Sequence, residues 1–294
     1  MMDLHLKELV SHTFGHHSKI VSVKPLSGGC INTVQQLRLD NGMKLVAKTN
    51  PKPPPLFFES EAIGLQTLAK APRGPDVPEV LAWNEHALLL TYIDTRKKND
   101  QSAAKLGKSL AYMHRQIQPH YGFEHNNFLG ESPQPNPKHI DGVAFFQRAR
   151  LQHFHHLAQQ RCVIPKSISK SINILIEELP TRLAIPNSEG PSLLHGDLWS
   201  GNWIMCNEGK PWLIDPACHY GFRESEIAMT ELFGGFPPAF YAAYQETYPL
   251  SSSYIDRRPI YQLVHMLNHV ALFGQSYLSS CKDLLAQLKP SGRL

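Results

Sequence analysis

Apolar residues at 4, 6, 9, 10 and 14 give the chain its first pattern, and their spacing predicts a short amphipathic helix over Leu4–Phe14, ended by Gly15. From residue 20 the period shortens to two. Strands are expected at 20–23, 31–39 and 44–48, with Asp40-Asn41-Gly42 turning the second into the third; this is a meander. Pro51-Lys52-Pro53-Pro54-Pro55 suits only a stiff connector, after which Phe58, Ala62, Leu65 and Leu68 mark a helix over 57–70. Two more strands follow, at 80–83 and 87–93. The polar, basic stretch 94–100 divides the chain into an N-terminal part, 1–94, and a C-terminal part, 95–294.

Beyond the divide the period is mostly helical. Asn99 or Asp100 is placed to cap a helix carrying Ala103, Leu106, Leu110 and Met113 and running to about 118. A loop rich in Asn, Pro and Gly fills 121–137, a length that in a compact domain is either functional or disordered. Further helices are expected at 143–160, 165–179, 224–232, 237–248 and 257–288, the last with room for an interruption. Between them sit a short strand at 191–194 and a hairpin, 203–205 and 212–214, turned at Asn207-Glu208-Gly209-Lys210.

Composition narrows the classes. The 294 residues are 42% hydrophobic, ordinary for a packed globular chain, and the net charge of +4 is spread with no basic run longer than Arg96-Lys97-Lys98. Nucleic acid and membrane surfaces therefore have no electrostatic support as partners, whereas an anionic nucleotide suits a mildly basic protein. No stretch reads as a signal peptide or membrane span, so a cytoplasmic location is expected. Cysteines at 30, 162, 206, 218 and 281 are scattered, with no C-x-x-C pair, which argues for reduced thiols. Cys30 lies in a glycine-rich turn, where a small residue fits; the sharper reading is an oxidisable thiol at the nucleotide.

The chemistry concentrates at His195-Gly196-Asp197-Leu198-Trp199-Ser200-Gly201-Asn202, followed by Ile214-Asp215-Pro216. This fits the kinase catalytic-loop pattern H-x-D-x-x-x-x-N, in which the aspartate accepts a proton from the substrate hydroxyl and the asparagine binds magnesium. Asp197 is thus the expected base, and Asn202 and Asp215 the expected Mg²⁺ ligands. His195 alone reads better as a buried brace for the loop. Upstream, Ser27-Gly28-Gly29 forms the first turn of the meander, where backbone N–H groups can approach phosphates, and Lys48 on the next strand but one supplies a point charge for them. Glu59 and Glu61 open the helix after the proline run. Residues two apart face different sides, so only one can orient Lys48; Glu61 is chosen and Glu59 left to solvent. His153, His155 and His156 invite a metal reading, but nothing supplies a third ligand.

Taken together, Ser27-Gly28-Gly29-Cys30-Ile31-Asn32, the run from Glu59 to Leu65, Tyr121-Gly122-Phe123 through Asn126-Asn127-Phe128-Leu129-Gly130, Pro133-Gln134-x-Asn136, the loop from His195 to Asn202, Tyr220-Gly221-x-Arg223-Glu224 and Leu232-Phe233-Gly234-Gly235-Phe236 resemble the fructosamine kinase (ketosamine 3-kinase) family. The catalytic loop alone is shared with aminoglycoside and choline phosphotransferases. The resemblance implies an α+β, two-lobed protein-kinase-like fold: a small antiparallel-sheet N-lobe with a helix, a larger mostly helical C-lobe, and ATP between them. It further implies that Lys48 pairs with Glu61 and holds phosphates, that the backbone of Thr91, Tyr92 and Ile93 receives adenine, and that Mg²⁺ serves the transfer. The acceptor would be the sugar 3-hydroxyl of a ketosamine, either a small molecule or a glycated protein side chain, in a monomer or weak dimer. The labile product would release the amine, a repair role. Trp199 and Glu224 are the expected acceptor contacts. Lys138, His139, Gly142 and Phe222 depart from the family pattern in segments expected to border the acceptor. The rival readings are an aminoglycoside or choline-type kinase and a catalytically idle binding module.

Overall fold

The computed structural model describes residues 4–26, 32–183 and 189–288. The turn expected to meet the nucleotide, Ser27, Gly28 and Gly29 with Cys30 beside it, lies outside the described residues. The first helix, α1 (Leu4–Phe14), has the predicted bounds. It precedes β1 (Ile20–Pro25), β2 (Thr33–Leu39), β3 (Lys44–Thr49), α2 (Phe57–Leu68), β4 (Val80–Trp83) and β5 (Ala87–Thr91), and the strands pair antiparallel in the order β1-β2-β3-β5-β4.

This sheet is buried on both faces, and side-chain alternation decides what each face meets. Leu37, Leu39, Leu45, Ala47, Ala87 and Leu89 point toward Leu6, Leu9 and Val10 of α1. Leu88 and Leu90 point the other way, onto Phe57, Phe58, Ala62 and Leu65 of α2. Burying each such leucine or phenylalanine contributes about 1.5–3 kcal/mol, so the two helices hold the sheet from opposite sides.

The segment expected to divide the chain is more ordered than its polar composition suggested. β6 (Thr95–Arg96) pairs antiparallel with β10 (Trp203–Cys206), and Asn99 caps α3 (Asp100–His114) by a reciprocal capping box with Ser102. α3 stops at His114 rather than near 118. Residues 116–118 instead pair with the strand that precedes the catalytic loop: Leu193 N–H donates to Gln116 O at 2.9 Å and Gln118 N–H to Pro191 O at 3.2 Å. Tertiary pairing here overrides a helical period.

The loop at 121–137 folds into a hairpin, β7 (Asn127–Leu129) and β8 (Ser132–Gln134). α4 (Gly142–Phe146) passes through a π-helical turn at Gln147–Gln152 into α5 (His153–Arg161), and α6 (Lys166–Arg182) follows. β9 (Ser192–Leu194) leads to the catalytic loop, β10 and β11 (Pro211–Leu213) form the predicted hairpin, and β12 (His219–Gly221), not foreseen, returns to pair with β9. α7 (Arg223–Thr230), α8 (Pro238–Thr247) and α9 (Tyr254–Phe273) complete the body. The expected interruption falls at Gly274, whose φ of +87° ends α9 before α10 (Leu278–Gln287). Among the described residues no helix is long and apolar enough to cross a membrane.

Candidate active site

The same alternation that builds the sheet aims Lys48. Leu45 and Ala47 face α1, so Lys48, one residue on, emerges on the α2 face. There its ammonium donates to both Glu61 Oε1 and Asp215 Oδ1. Glu59 is exposed and takes no part. One lysine shared by two carboxylates leaves the buried cluster with an excess negative charge. Burial works against the ammonium, yet Asp215 and Glu61 outweigh it and hold the amine protonated above its ordinary range. The Glu61 carboxyl is pushed up by burial more than Lys48 pulls it down.

Asp215 reaches this cluster from the end of the β10–β11 hairpin with a left-handed backbone, φ +59°, uncommon for a residue with a Cβ. Ile214 N–H donates to Asn202 O at 3.0 Å, which seats the second acid against the end of the catalytic loop. Behind it Pro216 and Cys218 pack against Gly64 of α2, where an added Cβ would lie 3.2 Å from that of Cys218. Gly64 is one turn from Glu61, so the contact also fixes the helix that carries Glu61.

The catalytic loop is braced from below by two histidines and a buried acid. His195 Nε2 meets Ile214 O at 2.8 Å, and a carbonyl only accepts, so this nitrogen carries the proton. Asp197 N–H donates to its Nδ1 at 3.3 Å, so the ring is neutral, as burial also favours, and has no site left for a reacting proton. Glu226 on α7 accepts from His195 N–H at 3.0 Å, Gly196 N–H at 2.6 Å and His114 Nε2 at 2.9 Å. Burial tends to raise that carboxyl, but these donors outweigh it and keep it below the usual range. Behind His114, Tyr244 O–H donates to Nδ1 at 2.8 Å and itself accepts from Arg223 at 3.2 Å. Gly196 has φ +86°, and a Cβ there would meet Ala217 O at 2.1 Å; the loop needs glycine at this step.

Above the brace, Asn202 Nδ2 donates to Asp197 O at 2.8 Å and to Asp197 Oδ2 at 3.1 Å. Asn202 Oδ1 is therefore turned away from Asp197. Burial, and then the charge of Asp215, push the Asp197 carboxyl up to about 7. It is a more basic group than a free aspartate, within a loop that fixes its orientation. Asn202 Oδ1 and the Asp215 carboxylate are oxygen donors only, the set a hard divalent cation prefers when phosphates and water complete its shell. Among the described residues no three His, Cys, Asp or Glu side chains group as a metal site, so phosphates and water would have to supply the remaining ligands.

The 121–137 segment serves as a buried amide frame. Asn127 Nδ2 donates to Cys218 O at 2.8 Å; Gln134 and Asn136 each donate to Asn127 Oδ1 at 2.9 Å. Arg150, buried without a carboxylate, donates to Asn136 Oδ1 at 2.6 Å. This frame hangs on residues 217 and 218, just past Asp215. Its motif was visible in sequence, but its role was not.

Other expected residues fall elsewhere. Thr91 closes β5, leaving Tyr92 and Ile93 half-buried just past the end of the strand. Trp199 is 39% exposed, its ring lying over Gly201, 2.2 Å from where a Cβ would be. Glu224 does not face the cleft: it is buried, bound by Arg257 at 2.6 and 2.7 Å and by Tyr261 O–H at 3.0 Å, so no acceptor contact remains to it. Two of the residues expected to depart from the family pattern, Gly142 and Phe222, fit each other. A Cβ at Gly142 would sit 2.6 Å from the Phe222 ring and 2.4 Å from that of Tyr121, so the aromatic at 222 occupies the room a side chain at 142 would need. Lys138 pairs with Glu124 at the surface, and His139 bridges to Tyr121. His153, His155 and His156 turn to Pro133 O, Ser169 and Gln160, three separate partners.

Glu226 and His114 were not singled out in sequence. The available signal was slight: the 223–230 helix carries Ile227, Ala228 and Met229 on successive faces, so it has no open side, and any acid within it must be partnered.

Comparison with known proteins shows the family and the fold. The profile of the fructosamine kinase family matches residues 2–290. A probable ketoamine kinase of Synechocystis sp. is 34% identical over 295 residues, covering 96% of this chain and 95% of its own. A chloroplastic protein-ribulosamine 3-kinase of Oryza sativa subsp. indica is 37% identical over 284 residues, covering 93% and 80%. Among solved structures, a putative fructosamine-3-kinase from Haemophilus somnus 129PT superposes with a TM-score of 0.85 at 30% identity, covering 97% of this chain and 96% of that one.

Proposed function

Because the chain belongs to the fructosamine kinase family, whose members transfer phosphate to a sugar hydroxyl, we propose that it phosphorylates the 3-hydroxyl of ketosamines formed when glucose or ribose glycates an amine. In this reading the acceptor is a small fructosamine or ribulosamine or a glycated lysine side chain, and the labile phosphorylated product releases the free amine.

The residues divide the work. The acceptor hydroxyl oxygen attacks the γ-phosphorus of ATP, the bond to the β–γ bridging oxygen breaks, and the hydroxyl proton passes to Asp197, whose raised basicity suits it to take one near neutral pH. Asn202 holds that carboxylate by its amide, keeping it aligned with the hydroxyl. Lys48, kept charged by Glu61 and Asp215, meets the phosphates. Asn202 Oδ1 and Asp215 would hold Mg²⁺, which neutralises charge on the transferring phosphoryl group when bound. The backbone at Thr91, Tyr92 and Ile93 takes adenine. Trp199 offers a ring face at the loop's exposed edge, suited to the apolar side of a sugar.

The observation that carries this reading is the meeting of Lys48, Glu61 and Asp215 in one contact while Asn202 is bonded to Asp197. The test is incubation with Mg-ATP and a panel of fructosyl-lysine, ribulosyl-lysine, choline and an aminoglycoside, with products identified by mass spectrometry. A ketosamine 3-phosphate is expected. Transfer to choline or the aminoglycoside with neither ketosamine modified would overturn the assignment.

A further inference from the structure

Between the two fixed ends of the catalytic loop, residues 198–201 receive one hydrogen bond from outside the loop among the described residues, and it comes from the segment that joins the lobes. Lys98 Nζ donates to Ser200 O at 2.5 Å and lies over the buried ring of Trp203, 4.5 Å from its centroid. Ser200 stands midway between Asp197 and Asn202, and Trp203 is the residue after Asn202. We propose that Lys98 is a positioning residue for phosphoryl transfer: its ammonium ties the middle of the catalytic loop to the interlobe linker and so holds Asp197 and Asn202 in register.

The base of this tether is rigid on both sides. Two residues earlier Arg96 pairs with Met205 in the β6–β10 ladder, and one residue later Asn99 is locked as the cap of α3. The backbone of Lys98 cannot drift, so the reach of its side chain sets where Ser200 sits. Among the described residues the ammonium makes no ion pair; a carbonyl and a π face are its partners, and burial lowers its pKa from the ordinary lysine value. It spends its interactions on the loop rather than on neutralising an acid. The other hydrogen bonds of residues 198–201 stay within the loop, Trp199 N–H to Asp197 O and Asn202 N–H to Trp199 O, and cannot by themselves fix this stretch against the hinge. Leu198 is buried and anchors the start of this stretch, but Trp199, Ser200 and Gly201 are not.

The kinetic part of this inference rests on the proposed function, so the experiment has two independent arms. Lys98→Met keeps the apolar stem and removes the donor; Lys98→Arg keeps a cation able to donate to the carbonyl and stack on the indole. In the first arm, hydrogen exchange by mass spectrometry needs no acceptor. Peptides spanning 196–203 should exchange at least tenfold faster in Lys98→Met than in wild type, with Lys98→Arg in between and peptides from α9 unchanged. In the second arm, with Mg-ATP and ribulosyl-lysine, kcat should fall tenfold to a hundredfold, since displacements of about 1 Å have such effects on transfer. KM for ATP should stay within twofold, and arginine should restore part of kcat. Unchanged exchange and kcat in Lys98→Met would overturn the proposal. A raised KM for ATP or acceptor with kcat intact would also overturn it, assigning Lys98 to ligand binding instead. If wild type fails on ribulosyl-lysine while exchange responds as stated, the acceptor assignment fails and the tether stands. Should Lys98→Met not fold, Lys98→Leu, which also lacks a donor, carries the same comparison.

Discussion

The Glu226 carboxylate accepts the Gly196 N–H at 2.6 Å, one residue before Asp197 and across 30 positions of sequence. The same carboxylate accepts His195 N–H and His114 Nε2, so a single buried charge orients the entry to the catalytic loop. Glu226→Gln leaves one of these donors facing an NH₂ group. The expected cost is about 1–3 kcal/mol of stability, read from denaturant unfolding, as for a buried polar group deprived of its partner. The kcat should fall at least tenfold while the ATP dissociation constant holds. A variant as stable and as fast as wild type would mean the loop is set without Glu226.

Asp197→Asn keeps the bond geometry to Asn202 but removes the proton acceptor. Turnover should fall by about 10²–10⁴, the usual contribution of a general base. Calorimetry should find ATP binding nearly unaltered. Normal single-turnover rates would remove Asp197 from the reaction.

Lys48→Met strands two carboxylates beside each other, one of them, Glu61, almost wholly buried. Breaking a buried pair from one side typically costs about 3–5 kcal/mol, and partial protonation of Glu61 should bring the loss to the lower end. Lys48→Met/Glu61→Gln should recover part of the stability and none of the activity. Equal stability of the single and double variants would show that Glu61 does not depend on Lys48.

Among the described residues five histidines, 114, 155, 195, 219 and 265, are buried, and burial holds each below its ordinary pKa, His265 down to about 3. Unfolded, each takes up a proton near pH 6.5; folded, each resists it. Stability conferred by neutral burial is thus complete above about pH 6.5 and declines as pH falls toward the folded values, by up to about 1.4 kcal/mol per pH unit for each histidine. The melting temperature should be level from pH 8 to 7 and drop steeply from 6.5 to 5. A flat profile down to pH 5 would contradict the neutral assignment.

Much of the site could be read along the chain. Helical spacing showed that only one of Glu59 and Glu61 could reach Lys48; Glu61 was the one expected, and in the structure Glu61 is bonded to Lys48 with Glu59 in solvent. The hairpin after the catalytic loop was also legible, because two short apolar runs around a polar turn are a local signal; an interruption of the last helix was expected but not placed, and the structure puts it at Gly274. Glu224 was misread as an acceptor contact. An acid beside a motif looks the same whether it meets ligand or, as here, Arg257. The stop of α3 at His114, the β7–β8 hairpin and β12 were missed, since short strands are fixed by their partners more than by their own residues.

By itself the sequence determined the periods, and with them the sheet, the two helices that flank it and the face from which Lys48 emerges; it also determined the catalytic loop, whose residue types stand at set intervals. Only the tertiary structure decided which distant groups meet: Lys48 with Asp215 across 167 positions, His114 with Glu226 across 112, and Lys98 with Ser200 across 102. The physical reason is that backbone periodicity is a local property, carried by neighbouring φ and ψ angles. The partner of a buried charge is chosen by whatever donor the packed chain brings within hydrogen-bond reach, and no interval along the sequence encodes that.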